Sequence, residues 1–186
     1  LTRTMEAVRF LLVTEGAITE PAYFRQLAEV LPLRPHEIVP ATSPDPLRMF
    51  EQVLRLRERC PGSECWLVLD AENGSDATRT RRLGKALQRA ARFGVSVALS
   101  SPCFEAWLLQ HLPRPTGAPQ RDPVTLKRLA RNAFGDPANL FGELSPVEAR
   151  AAIVRAIDRQ QDERSSETTA ESVGTLIRRL AVPGSL

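Results

Sequence analysis

Acidic side chains stand where the chain's apolar runs stop. Phe10-Leu11-Leu12-Val13 runs into Thr14-Glu15-Gly16, and Cys65-Trp66-Leu67-Val68-Leu69 runs into Asp70-Ala71-Glu72. If the backbone stays extended past Leu69, Asp70 and Glu72 point to the same side. Carboxylate oxygens are the hard donors that Mg2+ takes, usually one or two of them with several waters kept; Mn2+ suits the same set. Glu15, from a separate strand end, either shares the ion or acts as a general base. A divalent cation held there polarises a phosphate and activates water. Glu105 falls in the first turn of a helix expected just past another strand, where it either binds a second ion or answers the helix dipole. Glu20, near the start of the first helix, reads as a helix-start charge.

The elements that must position these acids are written in the apolar periodicity. The two runs already named are continuous, as in strands covered on both faces. Glu37 to Ala41 is a weaker strand candidate, and Val95 to Leu99 is a fourth. Between them, Thr19 is expected to cap a helix with Pro21 in its first turn and Phe24, Leu27, Ala28 and Leu31 on one face. Asp45-Pro46 opens a second helix, with Leu47, Phe50 and Leu54 on one side. Asp76 caps a third, with Leu83, Ala86, Leu87 and Ala90 inside and Arg79, Arg82, Lys85, Arg89 and Arg92 outside; Gly94 stops it. Strands alternating with helices predict a parallel sheet. In such sheets functional groups gather beyond the carboxyl ends of the strands, where Glu15 and Asp70 both fall.

After Leu99 the pattern turns helical. Ser101-Pro102 is expected to open a helix carrying Phe104, Trp107, Leu108 and His111, and a Pro-rich loop follows from Pro113 to Pro119. Val124 to Phe134 is the next helix candidate. Ser145-Pro146-Val147-Glu148 reads as a capping box for another, and Thr169 to Leu180 is the last. The expected fold class is α/β: a core over residues 1–112 with a mostly parallel four-stranded sheet flanked by helices, and a helical extension over 113–186 packed on it as one structural domain.

The chain's 186 residues, 42% hydrophobic and 25% charged, suit a globular domain that buries a core without disulfides. Cys60, Cys65 and Cys103 form an odd set with no close-spaced pair, so reduced thiols in a cytoplasmic protein are expected rather than a disulfide framework or a zinc site. No apolar run reaches the length of a membrane span, and the first residues lack the layout of a signal peptide. The formal charge is +3, carried by Arg except for Lys85 and Lys127. That balance permits nucleic-acid binding, and arginine favours bidentate contact with phosphate. The face bearing Arg79, Arg82 and Lys85 is a solvated helix surface unless it borders the acids, in which case it becomes a track for a phosphate backbone.

These blocks resemble a known family. Val13-Thr14-Glu15-Gly16 followed by Thr19-Glu20-Pro21-Ala22-Tyr23-Phe24 is similar to the opening "EGxxTEPxYF" of RloB-like proteins. Asp45-Pro46-Leu47, Trp66-Leu67-Val68-Leu69-Asp70 and Ser101-Pro102-Cys103-Phe104-Glu105-Ala106-Trp107-Leu108-Leu109 resemble later blocks in the same order. Ser166 to Leu180 is similar to the family's last helix. The strand-end Glu-Gly and acid-x-acid resemble the Toprim domain of topoisomerases, primases and OLD-type nucleases. The resemblance implies a Toprim-like (Rossmann-like) core, a metal-dependent activity on nucleic acid with Glu15, Asp70 and Glu72 at its centre and Glu20 supporting those ligands or joining a second ion, and a place in bacterial restriction-modification or phage-defence loci, often beside an ATPase. Two positions depart from it. Relatives usually read Asp-x-Asp where this chain has Glu72, one methylene longer, and charged residues where it has Ala17-Ile18.

Two function readings follow. One is a Mg2+- or Mn2+-dependent nuclease acting on DNA or RNA, with Asp70 and Glu72 holding the metal, Glu15 sharing it or serving as base, and flanking arginines neutralising developing charge. The other is a catalytically weak or inactive binding or regulatory subunit that works with an ATPase partner. A topoisomerase is disfavoured because it needs a nucleophilic tyrosine and only Tyr23 exists, inside an expected helix. Cys103 reads as packing, its chemical alternative being a thiol nucleophile served by His111. Trp107 reads as core, its alternative being a platform for a base.

Overall fold

A computed structural model describes residues 10–71, 76–114, 122–136, 139–162 and 170–186. Four strands, β1 (Phe10–Thr14), β2 (His36–Pro40), β3 (Glu64–Asp70) and β4 (Ser96–Ser100), pair in parallel in the order β2-β1-β3-β4. The chain is thus α/β with an all-parallel sheet, as its alternating pattern predicts. The second and fourth strands are each displaced by one residue from the expected ranges, within the ordinary uncertainty of element ends. On the outer side of β4, the Glu171 N–H donates to the Val97 carbonyl and the Leu99 N–H to the Glu171 carbonyl, so the last segment of chain covers that edge.

Alternation along the strands sends side chains to two separate cores. Leu11, Val13, Leu67, Leu69 and Val97 meet Met49, Phe50 and Val53 of α2 (Pro46–Arg59) and Leu83 and Ala90 of α3 (Ala77–Phe93). Phe10, Leu12, Trp66, Val68 and Ala98 face the other way. They pack on α1 (Thr19–Val30), α4 (Phe104–Leu109), α6 (Pro146–Asp162) and α7 (Val173–Leu180). This second core takes residues from both sides of position 112, so the C-terminal helices share their interior with the sheet. A third cluster joins α5 (Pro123–Phe134) to α4 through Leu126 and Ala130 against Cys103, Ala106 and Leu109.

The helix starts show which local rules hold. Asp45, Asp76, Asp122 and Ser172 cap α2, α3, α5 and α7 with side-chain acceptors. Ser145 and Glu148 bond reciprocally at the start of α6, the expected capping box. Thr19 is not the cap of α1: Ile18 holds that position without a side-chain bond, and Glu20 reaches back to the Gly16 N–H instead. α4 begins at Phe104, three residues past Ser101, and ends before His111. Its carboxyl end is clamped from α6, where Arg155 donates to the His111 carbonyl and Arg159 to the Gln110, Leu112 and Pro113 carbonyls. Cations there match the negative end of a helix.

The shared core makes a specific stability forecast. Leu176 in α7 is fully buried against the sheet-side cluster. Leu176→Ala is expected to cost about 2–5 kcal/mol, the range for emptying a packed leucine site. In urea titration the wild type should unfold in one transition seen alike by tryptophan fluorescence and circular dichroism. A helical segment that melts separately from the sheet would contradict the common interior.

Candidate metal centre

From β1 the chain goes outward to β2, then returns past β1 to β3 and on to β4. The order therefore reverses between β1 and β3, and the crevice beyond their carboxyl ends is the switch point at which open α/β sheets take ligands. Glu15 and Asp70 stand on either side of it. The Glu15 N–H donates to the Val68 carbonyl at 3.0 Å, prolonging the β1–β3 pairing by one residue. Its side chain then turns across the crevice, where Oε2 accepts the Asp70 N–H at 3.0 Å. Strand ends far apart in sequence are thus joined at the acids themselves.

The other oxygen of Glu15 is held by α3. Arg79 Nη2 donates to Glu15 Oε1 at 2.7 Å and to the Asp70 carbonyl at 3.2 Å, while Nη1 donates to the Pro44 carbonyl at 3.1 Å. One guanidinium thereby fastens the ends of β1 and β3 to the loop before α2. The pair is largely shielded from solvent, with side-chain exposures of 17% for Arg79 and 11% for Glu15. Arg82, a turn further on, is bidentate to Asp45 and holds that carboxyl down to about 2. The sequence had placed both arginines on a displayed face; the structure turns the first turns of α3 toward the acidic edge and engages both with acids. Lys85, farther along, is exposed.

The remaining acids also bear on Asp70. Burial pushes the Asp70 carboxyl well above the usual carboxylate range, and the neighbouring Glu15, Glu20 and Glu105 push it the same way; Lys127 of α5 opposes them. Glu20 is 4% exposed and its carboxyl is also raised, first by burial and then by Glu105 and Glu15. Its Oε1 accepts the Gly16 N–H at 2.8 Å. A Cβ on residue 16 would lie 2.0 Å from Glu20 Oε2, so the glycine of the Glu-Gly step is needed for that carboxylate to fold back. Cys103 adjoins the same cluster, its thiol pushed up to about 12 by burial and by Glu105. Such a thiol is not a nucleophile near neutral pH.

The donors fit a hard divalent ion. Asp70 is a carboxyl whose charged form is opposed by burial and by three like charges, a cost that a cation would relieve. The Ser100 hydroxyl, which ends the neighbouring strand, is buried and makes no hydrogen bond among the described residues. Among those residues no three His, Cys, Asp or Glu side chains are grouped as a metal site. Mg2+ does not demand three, since it keeps several waters on one or two carboxylates. Glu72 lies outside the described residues, so the expected Asp70–Glu72 pair has no geometry here.

Several alternatives fall away. Tyr23 is 1% exposed and its hydroxyl meets His111 Nε2 at 3.1 Å inside the core, where it has no route to a phosphate. Burial lowers His111 to about 4, leaving a neutral ring packed on Trp107 and Phe141. Trp107, 2% exposed, is core. A cavity of about 630 Å³ opens between the end of α4, α5 and α6, lined in part by His111, Phe134, Phe141 and Arg155, and includes none of the clustered acids.

Sequence reading found Glu15, Asp70, Glu20 and Glu105, which the fold brings together. It missed Arg79 as the partner of Glu15, and it missed Lys127 and Ser100. Ser100 was accessible to the same criterion that picked Glu15 and Asp70, being the polar residue on which an apolar run ends. Lys127 carries no local signal, since only the packing of α5 on α4 brings it near.

Comparison with known proteins agrees with the motif resemblance. The family model described as RloB-like protein matches residues 10–180. No curated protein and no solved structure matches the chain.

The raised carboxyls give stability a defined pH slope. A carboxyl whose folded-state pKa exceeds its unfolded value of about 4 binds its proton more tightly in the folded chain, so stability falls as pH rises through that interval. Metal-free protein is expected to lose melting temperature as pH rises out of the ordinary carboxylate range, through the interval in which these raised carboxyls give up their protons. Asp70→Asn should raise the melting temperature at the upper end, by about 2–4 °C per kcal/mol regained, and flatten the slope while Glu20 maintains part of it. An Asn variant that melts lower than wild type at the upper end would refute the crowding.

Proposed function

The chain belongs to the RloB-like family, and we propose that it is a divalent-cation-dependent nuclease that hydrolyses phosphodiesters of DNA or RNA in a bacterial phage-defence or restriction-associated system. The observation that carries this reading is the gathering of acids at the β1/β3 switch point, where the Glu15 side chain reaches the Asp70 N–H and Glu20 and Glu105 lie close enough to oppose the Asp70 charge. A site that concentrates negative charge against burial suits a ligand of high positive charge.

In this reading Asp70 and Glu72 hold Mg2+ or Mn2+, with Glu105 beside them for the same ion or a second. The ion supplies a Lewis acid for the scissile phosphate and a lowered pKa for its bound water. Glu15 stands across the crevice as a further ligand or as the base, kept in place by Arg79 and the Asp70 N–H. Glu20 supports the cluster from behind through Gly16. Arg79, Arg82 and Lys85 of α3 would meet a phosphate backbone, Arg79 and Arg82 while also paired with Glu15 and Asp45. Lys127 approaches from α5, so a residue of the C-terminal helices also bears on Asp70.

One observation favours a second reading. Both oxygens of Glu15 are already engaged by protein donors, a state suited to a Toprim-like subunit that binds or regulates without cutting, in concert with an ATPase partner. Among the described residues no helix is long and apolar enough to cross a membrane.

Cleavage of plasmid, single-stranded DNA and tRNA with added Mg2+ or Mn2+ separates the two. The nuclease reading expects metal-dependent products from wild type and a loss of at least about a hundredfold in Asp70→Ala, the scale of removing a charge-stabilising group. Products that persist undiminished in Asp70→Ala, or that never form even when an ATPase encoded beside the gene is supplied, would leave the regulatory reading.

A further inference from the structure

Ser100 closes β4 opposite Asp70, with which it is paired in register. Two residues back, Ala98 joins the same core cluster as Trp66 and Val68. Side chains alternate along a strand, so Asp70, two beyond Val68, and Ser100, two beyond Ala98, emerge on that same face. Adjacent strands lie about 5 Å apart, which makes the two side chains immediate neighbours. The Ser100 residue is 1% exposed, and its hydroxyl has no partner among the described residues. Leaving a buried hydroxyl unbonded costs about 1–3 kcal/mol, enough that such a group calls for an occupant.

The charge balance says what kind of occupant. Asp70 is opposed by Glu15, Glu20 and Glu105, so a further carboxylate at position 100 would add repulsion. A hydroxyl offers a hard oxygen with no charge. We propose that Ser100 is an oxygen donor to the divalent cation held by Asp70, completing the ligand set from the strand next door. The assignment rests on the cation site proposed above.

The test uses the whole chain, with Mn2+ as probe followed by electron paramagnetic resonance and by thermal shift. Ser100→Ala removes the unbonded hydroxyl, so its metal-free melting temperature is expected to equal or exceed that of wild type. Its Mn2+ dissociation constant is expected to rise about tenfold, the equivalent of about 1.4 kcal/mol. Ser100→Cys, close in size but soft in donor character, should shift preference from Mn2+ toward Cd2+. Exposed Ser101→Ala should match wild type throughout. A Ser100→Ala protein that melts lower without metal and binds Mn2+ as wild type does would make Ser100 a packing residue and overturn the assignment. So would a Ser100→Cys protein with unchanged ion preference. Failure of wild type itself to bind Mn2+ would instead remove the cation site, and Ser100 with it.

Discussion

Like charge held in a poorly hydrated place is the constraint around which this molecule is arranged. Glu15, Glu20, Asp70 and Glu105 converge on the carboxyl edge of a parallel sheet, where water that would screen them is partly excluded. The fold answers in three ways. Arg79 and a backbone N–H hold Glu15, another backbone N–H holds Glu20, and Asp70 retains its proton to higher pH than a free carboxyl. Under the function proposed above, a divalent cation would take over from that proton the task of offsetting the repulsion.

Such an arrangement requires a stiff frame. The strand ends are fixed by parallel pairing on both sides of β1 and β3, with cores on both faces. α4 delivers Glu105, and its position depends on α5 packed along it and on Arg155 and Arg159 of α6 clamping its carboxyl end. The C-terminal helices are therefore part of the machinery that builds the acidic edge. Their Leu176 and Ile177 fill the same interior as Leu12 and Val68 of the strands.

How much of this could be read beforehand follows from the range of each signal. Strands buried on both faces show as unbroken apolar runs, and Asp45, Asp76 and Ser145 mark helix starts by local bonding, so the parallel sheet and the acids at strand ends were legible, though not the strand order. Contacts between distant elements were not. Arg79 looked like one more cation on a solvated helix, because nothing within a few residues of it reveals Glu15, 64 positions away. Thr19 looked like a cap because its type is right; the Glu20 carboxylate satisfies the Gly16 N–H instead, a choice set by the tight turn at Gly16. Glu72 lies outside the described residues, and its expected pairing with Asp70 stays a matter of sequence pattern.

The central claim is that a cation at this edge takes the place of a proton on Asp70. Mn2+ affinity measured against pH tests it most directly, because a ligand must lose its proton before it binds a metal. Affinity should climb with pH by about tenfold per unit until Asp70 is deprotonated, then level off, and Asp70→Asn should abolish the climb. An affinity that is flat across the same range, or one that Asp70→Asn leaves intact, would contradict the account.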